Sequence, residues 1–370
     1  MAQSDMDRRW SEAKVKKWFD SYDWFAGTNF SPSTAINQLE MWQAESFDIE
    51  TIERELKWSS ELGFNLHRVF LHNLVWQQNS EEFLNRIDQF LSLADKYEIK
   101  TMLVLFDDVW DPLPVLGKQR DPIPHVHNSG WVQAPGREYL EDESKDPLLE
   151  SYVKGVINQF KNDNRVAIWD LYNEPGNPNS SSYGADSKNK TEMSQEDKNR
   201  LSLRLVRKTF QWAREVNPSQ PLTVGIWRGA AEDWSDVSTW NDISKLPELD
   251  RVMIENSDII TFHTYDNSLK GVMERVNKLK GYNRPIICTE YMARSNNNLF
   301  QDVMPYFKKE NIGAINWGFV SGKTNTIYPW ETWEKKYAKE PEVWFHDILR
   351  RDGTPYSQEE VDLIKKLTGI

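Results

Sequence analysis

The segment RVAIWDLYNEPG, residues 165–176, is an apolar run that ends in two polar residues and a Pro-Gly pair. A nearly continuous apolar run of this length is typical of a strand that is buried on both faces of a parallel sheet. Pro175 and Gly176 indicate that the strand stops here and that a loop begins. Asn173 and Glu174 therefore lie at the carboxyl end of a predicted strand, a placement that suits chemistry better than packing.

Apolar runs of the same kind recur along the chain and alternate with segments of helical periodicity. The predicted strands cover residues 23–30, 64–72, 100–106, 165–172, 221–227, 258–265, 284–290 and 313–320. The predicted helices cover residues 51–63, 81–99, 147–160, 194–216, 268–281, 299–311 and 357–367. Such an alternation favours parallel pairing through right-handed crossovers. Eight units of this kind predict an α/β fold of the TIM-barrel type, a closed (β/α)8 barrel.

An open, doubly wound sheet is the alternative topology for the same alternation of elements. Such sheets usually carry a glycine-rich phosphate-binding turn after the first strand. The corresponding segment here, AGTNFSPS at residues 26–33, lacks the G-x-G-x-x-G pattern. The sequence therefore favours the closed barrel.

We expect one catalytic barrel domain over residues 1–370, with a barrel core over about 23–320 and C-terminal helices over 341–370. Three long insertions follow the third, fourth and eighth predicted strands, at residues 107–146, 176–195 and 321–342. Active sites of (β/α)8 barrels are built at the carboxyl ends of the strands. The insertions are therefore expected to surround the functional site.

The composition limits the classes of partner and the compartment. The chain has 370 residues and a net charge of −12, which disfavours nucleic acid and anionic membranes. It has no run of 18 apolar residues, so membrane insertion is not predicted. Its single cysteine, Cys288, excludes an intrachain disulfide. The first 20 residues lack the apolar core of a signal peptide. Since a leader can have been removed, cytoplasmic and exported locations both stay open, as does the oligomeric state.

Tryptophan is unusually abundant, with 17 residues in the chain. An indole ring buries a large apolar area in a core, and its flat face also stacks against the C–H face of a sugar ring. Trp110, Trp131 and Trp227 lie in or next to the predicted loops at the strand ends. They are either stacking platforms for a ligand or anchors of their loops, and the sequence does not decide between the two.

Polar residues cluster at the carboxyl ends of the predicted strands, where a barrel would gather them around one pocket. They are Asn29, Arg68, His72, Asp107, Asp108, Asn173, Glu174, Trp227, Arg228, His263, Tyr265, Glu290 and Trp317. Glu174 and Glu290 end the fourth and seventh strands, which lie across the mouth of an eight-stranded barrel from each other. We therefore expect their carboxyl groups to converge.

Two converging carboxylates suit the cleavage of a glycosidic bond. One protonates the leaving oxygen, and the other attacks the anomeric carbon or activates water, with a separation of about 5 Å favouring retention. Arg68 and Tyr265 are placed to hold Glu290 as an anion and are expected to lower its pKa. Burial among aromatic side chains is expected to raise the pKa of Glu174.

The motifs DLYNEP (170–175) and TEY (289–291) resemble the clan A retaining glycoside hydrolases, especially the cellulase-like family 5, and the resemblance covers essentially the whole barrel. The resemblance extends to Arg68 in RVF, to His263 and Tyr265 in HTY, and to Trp317 in NWGF. By this resemblance, Glu174 is the acid/base and Glu290 the nucleophile of a retaining β-glycoside hydrolase. Asn173 would bind the 2-hydroxyl of the cleaved sugar, and Trp317 would stack against the sugar at the cleavage point.

The third strand departs from the family pattern. Family 5 enzymes often carry a histidine at its end, whereas this chain has Asp107 and Asp108. These two residues either cap a turn or bind a sugar hydroxyl. The departure favours either a different sugar or a changed orientation of the sugar in the subsite where the family contacts the 3-hydroxyl. His125 and His127 in the following loop are interpreted as loop contacts, because no third metal ligand has suitable spacing nearby. No metal or cofactor is predicted.

The predicted partner is a carbohydrate, and the predicted activity is hydrolysis of β-linked oligo- or polysaccharides. One alternative is a barrel that binds carbohydrate with little or no turnover, and another is an interaction scaffold. The presence of both carboxylates and Asn173 disfavours the first, and the clustering of polar residues at one face disfavours the second. The long loops after strands three and eight favour a short pocket for chain ends or oligosaccharides, with an open groove as the alternative.

Overall fold

The computed structural model describes residues 8–179, 193–229 and 235–370. Its strands are β1 (Ala26–Asn29), β2 (Leu66–Phe70), β3 (Lys100–Asp107), β4 (Val166–Asn173), β5 (Leu222–Thr223), β6 (Ile260–His263), β7 (Ile286–Glu290) and β8 (Gly313–Asn316). Its helices are α1 (Glu12–Phe19), α2 (Gln38–Trp42), α3 (Ile49–Ser60), α4 (Asn73–Gln78), α5 (Ser80–Lys96), α6 (Arg137–Glu141), α7 (Asp146–Phe160), α8 (Gln195–Val216), α9 (Glu248–Asn256), α10 (Leu269–Leu279), α11 (Phe300–Lys309) and α12 (Gln358–Thr368).

The strands form one parallel eight-stranded sheet in the order β5-β4-β3-β2-β1-β8-β7-β6. The two outer strands meet through a parallel bridge between Ile226 and Phe262. The amide of Ile226 donates to the carbonyl of Thr261 at 3.0 Å, and the amide of His263 donates to the carbonyl of Ile226 at 3.2 Å. The sheet thereby closes into the predicted (β/α)8 barrel.

All eight predicted strands are present, but the fifth is much shorter than the predicted 221–227. Its ladder to β4 covers two residue pairs, and the next contact with a neighbouring strand is the Ile226 bridge. Gly225 separates the two, and a Cβ at this glycine would lie 3.0 Å from Oγ1 of Thr261. The close approach of the two segments therefore favours a residue without a side chain.

Apolar residues of the strands alternate between two cores. On β3, Leu103 and Leu105 belong to the large cluster between the sheet and the helices, whereas Met102 belongs to a second cluster. That second cluster fills the lower part of the barrel and includes residues of the N-terminal helix α1, such as Val15 and Phe19. The lower interior of the barrel is therefore packed with apolar side chains.

The structure contains helices that the sequence patterns did not predict, among them α1, which packs into the amino-terminal end of the barrel, and α9, which precedes β6. The prediction of several helices over 341–370 is wrong, because this segment contains the single helix α12. Residues before α12 instead form bridges from Leu349 to Val320 and Pro355. Prolines and glycines, which interrupt helices, explain the irregular backbone there.

No helix in the described parts of the chain combines the length and the apolar character that a membrane span needs. Of the predicted insertion at 176–195, residues 180–192 lie outside the described residues.

Candidate active site

A cavity of about 950 Å³ opens where the strands end, between the loops that follow β3 to β8. The predicted site residues that line it are Trp110, Asn173, Glu174, Trp227, His263, Tyr265, Glu290 and Trp317. Arg68, Asp107, Asp108 and Trp131 are buried behind this lining. The sequence therefore located the cavity correctly. These last four residues were also predicted as ligand contacts, but they lie behind the residues that line the cavity.

The two predicted carboxylates face each other in the cavity. One oxygen of Glu174, one oxygen of Glu290 and one ring nitrogen of His263 all lie within 4.8 Å of one another. Nδ1 of His263 is 2.8 Å from Oε1 of Glu174 and 3.6 Å from Oε2 of Glu290. Glu174 adopts a φ of 44° in the turn after β4. This left-handed conformation is unusual for a residue other than glycine and is common at functional sites.

Arg68 holds four groups around the cavity floor. Its Nε donates to Asp170 at 2.8 Å, and its Nη1 donates to Oε1 of Glu290 and to Oδ1 of Asn29, both at 2.9 Å. Its Nη2 donates to Oδ1 of Asn173 at 2.6 Å. Since arginine has no acceptor atom, these contacts fix the amide oxygen of Asn173 toward Arg68 and its NH₂ group away from it.

Glu290 also accepts a hydrogen bond from the hydroxyl of Tyr265, at 3.0 Å. The partners predicted for this carboxylate are therefore in place, but the predicted direction of its pKa is wrong. Burial raises the pKa of Glu290 above its ordinary value and outweighs the opposing effects of His263, Arg68 and Tyr265. The sequence identified the charged partners but not the cost of removing the carboxylate from water.

Burial raises the pKa of Glu174 to about 7, as predicted. The amide of Asn177 opposes this rise, because its Nδ2 donates to Oε2 of Glu174 at 2.6 Å and favours the ionised form. Burial lowers the pKa of His263 to about 4, so that its ring is neutral near pH 7. Glu174 can therefore carry a proton at neutral pH, whereas the neighbouring Glu290 has Arg68 as a cationic partner.

Asp107 and Trp131 support the lining rather than forming it. Asp107 accepts hydrogen bonds from Nδ2 of Asn173 at 2.9 Å and from the indole nitrogen of Trp131 at 2.7 Å. The ring of Trp131 packs edge-on against Trp317, with 5.8 Å between ring centroids. Burial raises the pKa of Asp107 to about 8. One buried carboxyl group therefore orients the amide of Asn173, which was predicted to bind the sugar, and the ring of Trp131, which the sequence left open as a stacking platform or a loop anchor.

Asp108 is a structural residue in this arrangement and does not reach the cavity. Its Oδ1 accepts from the hydroxyl of Tyr172 at 2.7 Å and from Nζ of Lys198 at 2.9 Å. Its Oδ2 accepts from the amide of Gly176 at 2.7 Å and from the hydroxyl of Ser202 at 2.6 Å. Four donors on a fully buried carboxylate indicate that Asp108 joins β3, the loop after β4 and helix α8.

Replacing Asp108 with alanine is therefore expected to destabilise the protein by about 3–5 kcal/mol, because Lys198 is left buried without its counter-charge. Urea unfolding measures the change in free energy. The control is Asp20→Ala, which removes an exposed pair with Lys16 and is expected to cost less than about 1 kcal/mol. A variant of unchanged stability that binds substrate poorly would instead favour the ligand contact that the sequence left open.

Trp110 and Trp227 both line the cavity and are both anchored. The ring of Trp110 is stacked on Trp333, with 5.8 Å between centroids and an interplanar angle of 24°. The indole nitrogen of Trp227 donates to the carbonyl of Pro175 at 3.3 Å. Each ring is therefore held in place by the protein while part of it faces the cavity. A tryptophan here can anchor its loop and also offer a surface on which a sugar stacks.

Other strand-end residues serve the scaffold. His72 is fully buried, with its ring nitrogens bonded to the amide of Leu74 and to the carbonyl of Gln133. Arg228 donates to Oδ1 of Asn199 at 2.9 Å. These contacts tie loops together and explain why polar residues stand at strand ends without reaching the cavity.

The sequence reasoning missed several residues of the cavity, notably Asn177, Trp330 and His346. His127 was interpreted as a loop contact, and its Nδ1 does lie 2.7 Å from the carbonyl oxygen of Tyr328, but it also lines the cavity. His127 and His346 lie in irregular loops and Trp330 begins a short 3-10 helix, so a search for strand or helix periodicity has nothing to detect there. Asn177 could have been found, because it stands two residues after the N-E-P motif and therefore close to Glu174.

Within the described residues, Glu174, His263 and Glu290 form the one group of three potential metal ligands. Among those residues, His125 and His127 do not belong to such a group. Nδ1 of His125 lies 2.7 Å from the hydroxyl of Tyr328. The predicted absence of a metal and a cofactor stays a prediction.

A comparison with models of protein families identifies the family that the chain resembles in sequence. A family model described as "Cellulase (glycosyl hydrolase family 5)" matches residues 25–322. The comparison with curated proteins found no match.

Solved structures share the fold at low sequence identity. An endo-1,4-β-D-mannanase from Thermotoga petrophila RKU-1 is 13% identical with a TM-score of 0.57, and the match covers 94% of this chain and 99% of that one. An exo-β-1,4-mannosidase from Opitutaceae bacterium strain TAV5 is 12% identical with a TM-score of 0.59, over 94% and 59% of the two chains. A GH5_18 protein from Streptomyces cattleya in complex with GlcNAc is 10% identical with a TM-score of 0.58, over 93% and 79%. At such identities the likeness shows the fold alone.

Proposed function

Since the chain belongs to glycosyl hydrolase family 5, and is thus a glycosidase that hydrolyses O-glycosyl bonds, we propose that it cleaves β-linked saccharides by double displacement. Glu174 is the acid/base, and Glu290 is the nucleophile. The observation that carries the proposal is the approach of their carboxylate oxygens to within 4.8 Å. Retaining enzymes have carboxyl groups about 5–5.5 Å apart, whereas inverting enzymes need a wider gap that admits water.

The nucleophile must be ionised and must point at the anomeric carbon. Arg68 contributes a positive charge at 2.9 Å from one oxygen of Glu290, and Tyr265 donates to the other oxygen at 3.0 Å. These two partners fix the orientation of the carboxylate. They also support the assignment of Glu290, rather than Glu174, as the ionised member of the pair.

The acid must be protonated before the bond breaks. The pKa of Glu174, raised to about 7 by burial, keeps a proton on this group at neutral pH. In the first step the proton goes to the leaving oxygen while Glu290 forms the covalent glycosyl-enzyme. In the second step the Glu174 carboxylate takes a proton from water, which attacks the anomeric carbon and releases Glu290.

Asn173 and Trp317 are proposed to hold the sugar that is cleaved. The NH₂ group of Asn173 donates one hydrogen to Asp107 and keeps a second one for the 2-hydroxyl. Trp317 offers a half-buried ring, braced by Trp131, for stacking against the sugar. A barrel that only binds carbohydrate does not require the acid and the nucleophile to be paired in this way, which weighs against that alternative.

Hydrolysis of aryl β-glycosides by the wild type and by Glu290→Ala tests the proposal. β-Mannosides are the first substrates to try, because a mannanase and a mannosidase are among the structures with the same fold. β-Glucosides, β-xylosides and β-galactosides complete the panel. Binding of a β-linked oligosaccharide without hydrolysis of that oligosaccharide or of any aryl glycoside would favour the binding barrel instead.

The pH profile of kcat/KM provides a further test. We expect activity to fall above a pH of about 7, as Glu174 loses its proton. Asn177→Ala removes a donor that favours the anion, so it raises the pKa of Glu174 and moves this alkaline limb to higher pH. The control Asn158→Ala, at an exposed site on α7, leaves the limb unchanged. An alkaline limb that stays in place, or moves to lower pH, in Asn177→Ala contradicts the assigned acid.

A further inference from the structure

The loops that follow β3 and β8 are joined to each other beside the cavity. The amide of His127 donates to Oγ1 of Thr332 at 2.9 Å, and its Nδ1 donates to the carbonyl of Tyr328 at 2.7 Å. The amide of Asn128 donates to the carbonyl of Thr324 at 2.7 Å. The two loops thus form one continuous wall on this side of the cavity, which we call the barrier.

The loop after β1 extends this barrier across the barrel. Nδ2 of Asn37 donates to the carbonyl of Gly130 at 2.9 Å, and Nε2 of Gln38 donates to the carbonyl of Val132 at 2.9 Å. The loop after β8 closes the circuit, because the amide of Lys323 donates to the carbonyl of Ser33 at 3.0 Å. The lining of the cavity accordingly comes from the loops after β3 to β8, with none from those after β1 and β2 among the described residues.

His127, Trp330 and His346 form the cavity side of this barrier, which we call the closed end. It lies next to the proposed nucleophile: the ring centroid of Tyr265, whose hydroxyl bonds Glu290, is 5.0 Å from that of Trp330 and 5.7 Å from that of His346. Because Glu174 protonates the leaving group, the leaving part of the substrate occupies the Glu174 side of the bond. The sugar captured by Glu290 therefore occupies the side of the closed end.

The two histidines of the closed end have defined tautomers. Nδ1 of His127 faces the carbonyl of Tyr328, and Nδ1 of His346 lies 2.6 Å from the carbonyl of Met292. A carbonyl oxygen only accepts, so both Nδ1 atoms carry hydrogen and both Nε2 atoms are acceptors. Nε2 of His346 is buried and has no hydrogen-bond partner among the residues that the structure describes. The ring centroids of the two histidines are 5.4 Å apart.

We propose that the closed end is a subsite for the non-reducing terminal sugar, that His127 and His346 accept hydrogen bonds from its hydroxyl groups, and that the protein releases single sugars from chain ends. The inference rests on the proposed function and specifies its substrate as a chain terminus. Tyr265 contacts Glu290 through its hydroxyl and the closed end through its ring, so the closed end begins beside the nucleophile and leaves room for a single sugar residue on the glycone side.

The chemistry of the two acceptors fits a neutral sugar. Burial lowers the pKa of His127 to about 4 and that of His346 well below its ordinary value, so both rings are uncharged at neutral pH. A buried acceptor without a partner is unfavourable, and a substrate hydroxyl relieves that cost, whereas an analogue that lacks the hydroxyl does not. The two side chains are therefore specificity determinants for hydroxyl positions on the terminal sugar.

A β-linked pentasaccharide of the sugar preferred in the aryl glycoside panel, labelled at its reducing end, tests the position of cleavage. We expect free monosaccharide and labelled tetrasaccharide as the only early products. Methylation of the 4-hydroxyl of the non-reducing terminal sugar is expected to stop cleavage. Early release of shorter labelled products, or cleavage of the capped chain at internal bonds, overturns the inference and leaves the proposed glycosidase intact. If the wild type cleaves neither an aryl glycoside nor a β-linked oligosaccharide, both proposals fail.

Aryl glycosides that lack the hydroxyl at C3, C4 or C6 test the two histidines. The wild type is expected to discriminate about 10- to 100-fold in kcat/KM against at least one deoxy analogue. His346→Phe or His127→Phe is expected to reduce that ratio toward one, since the ring stays and the acceptor is lost. A structural defect alone would lower both rates together and keep the ratio.

The control variant is His125→Asn, in the same loop and also next to Tyr328 but outside the cavity lining. Asparagine tolerates the φ of 65° at this position. It is expected to keep the discrimination of the wild type. If His127→Phe and His346→Phe both keep the wild-type ratio of kcat/KM between the parent and the deoxy glycosides, the assignment of the hydroxyl contacts is overturned.

Discussion

Replacing Glu290 with alanine is expected to lower kcat on aryl β-glycosides by on the order of 10³-fold or more. Without this carboxylate no covalent glycosyl-enzyme forms, and Arg68 and Tyr265 face a gap instead of an anion. Azide is small enough to enter that gap, and the guanidinium of Arg68 favours an anion there. We expect azide to restore turnover and to form a glycosyl azide of inverted configuration, because a single displacement replaces two.

Glu290→Gln is the matched control for this result. It keeps the size of the side chain and removes the nucleophilic anion, so we expect the same loss of kcat without rescue, since no gap is opened. Product configuration is measured by NMR, and the rate of the rescue by release of the aryl group. A β-configured azide from Glu290→Ala would exchange the roles of the two glutamates.

The barrel and the two carboxylates could be predicted from the sequence because the information is local. Each strand is an apolar run, and a residue that ends a parallel strand must lie at one face of a closed barrel. Glu174 and Glu290 are far apart in sequence, yet their placement follows from counting strands. Arg68, His263 and Tyr265 were located by the same argument.

The direction of a side chain at a strand end is not local information. Asp107 ends β3 and Asp108 is the next residue, but Asp107 turns toward Asn173, and Asp108 turns toward Lys198 on α8. The alternation of side chains along a strand does not settle this, because the adjacent residues Asn173 and Glu174 at the end of β4 both line the cavity. Which of two neighbouring residues reaches a ligand therefore depends on the turn that follows the strand.

The closed end could not be predicted, because it depends on contacts between loops that are distant in sequence. His127 meets Tyr328 and Thr332 about 200 positions away, and neither loop has a periodic pattern. The net pKa of Glu290 was missed for a related reason. Its charged partners are visible in the motifs, whereas the extent of its burial depends on the packing of every loop around it.

Replacing Glu174 with alanine is expected to have an effect that depends on the leaving group. For aryl groups that need a proton to depart, kcat/KM is expected to fall by on the order of 10³-fold, as the general acid is lost. For a dinitrophenyl group, which departs without a proton, formation of the glycosyl-enzyme continues and its hydrolysis becomes slow, because no base activates water. A burst of aryl release followed by a slow steady state is therefore expected.

Azide distinguishes this role from that of Glu290. In Glu174→Ala the azide occupies the space beside Asn177 and His263 and attacks the glycosyl-enzyme from the side of the departed group, so the product retains the β configuration. His263→Ala is a useful comparison, since it removes a neighbour of both carboxylates but neither reacting oxygen, and we expect no azide product from it. An inverted azide from Glu174→Ala, or an equal loss for all leaving groups, contradicts its role as acid. Retention in Glu174→Ala together with inversion in Glu290→Ala requires both groups to act on opposite sides of one anomeric carbon, which a pair of oxygens within 4.8 Å permits.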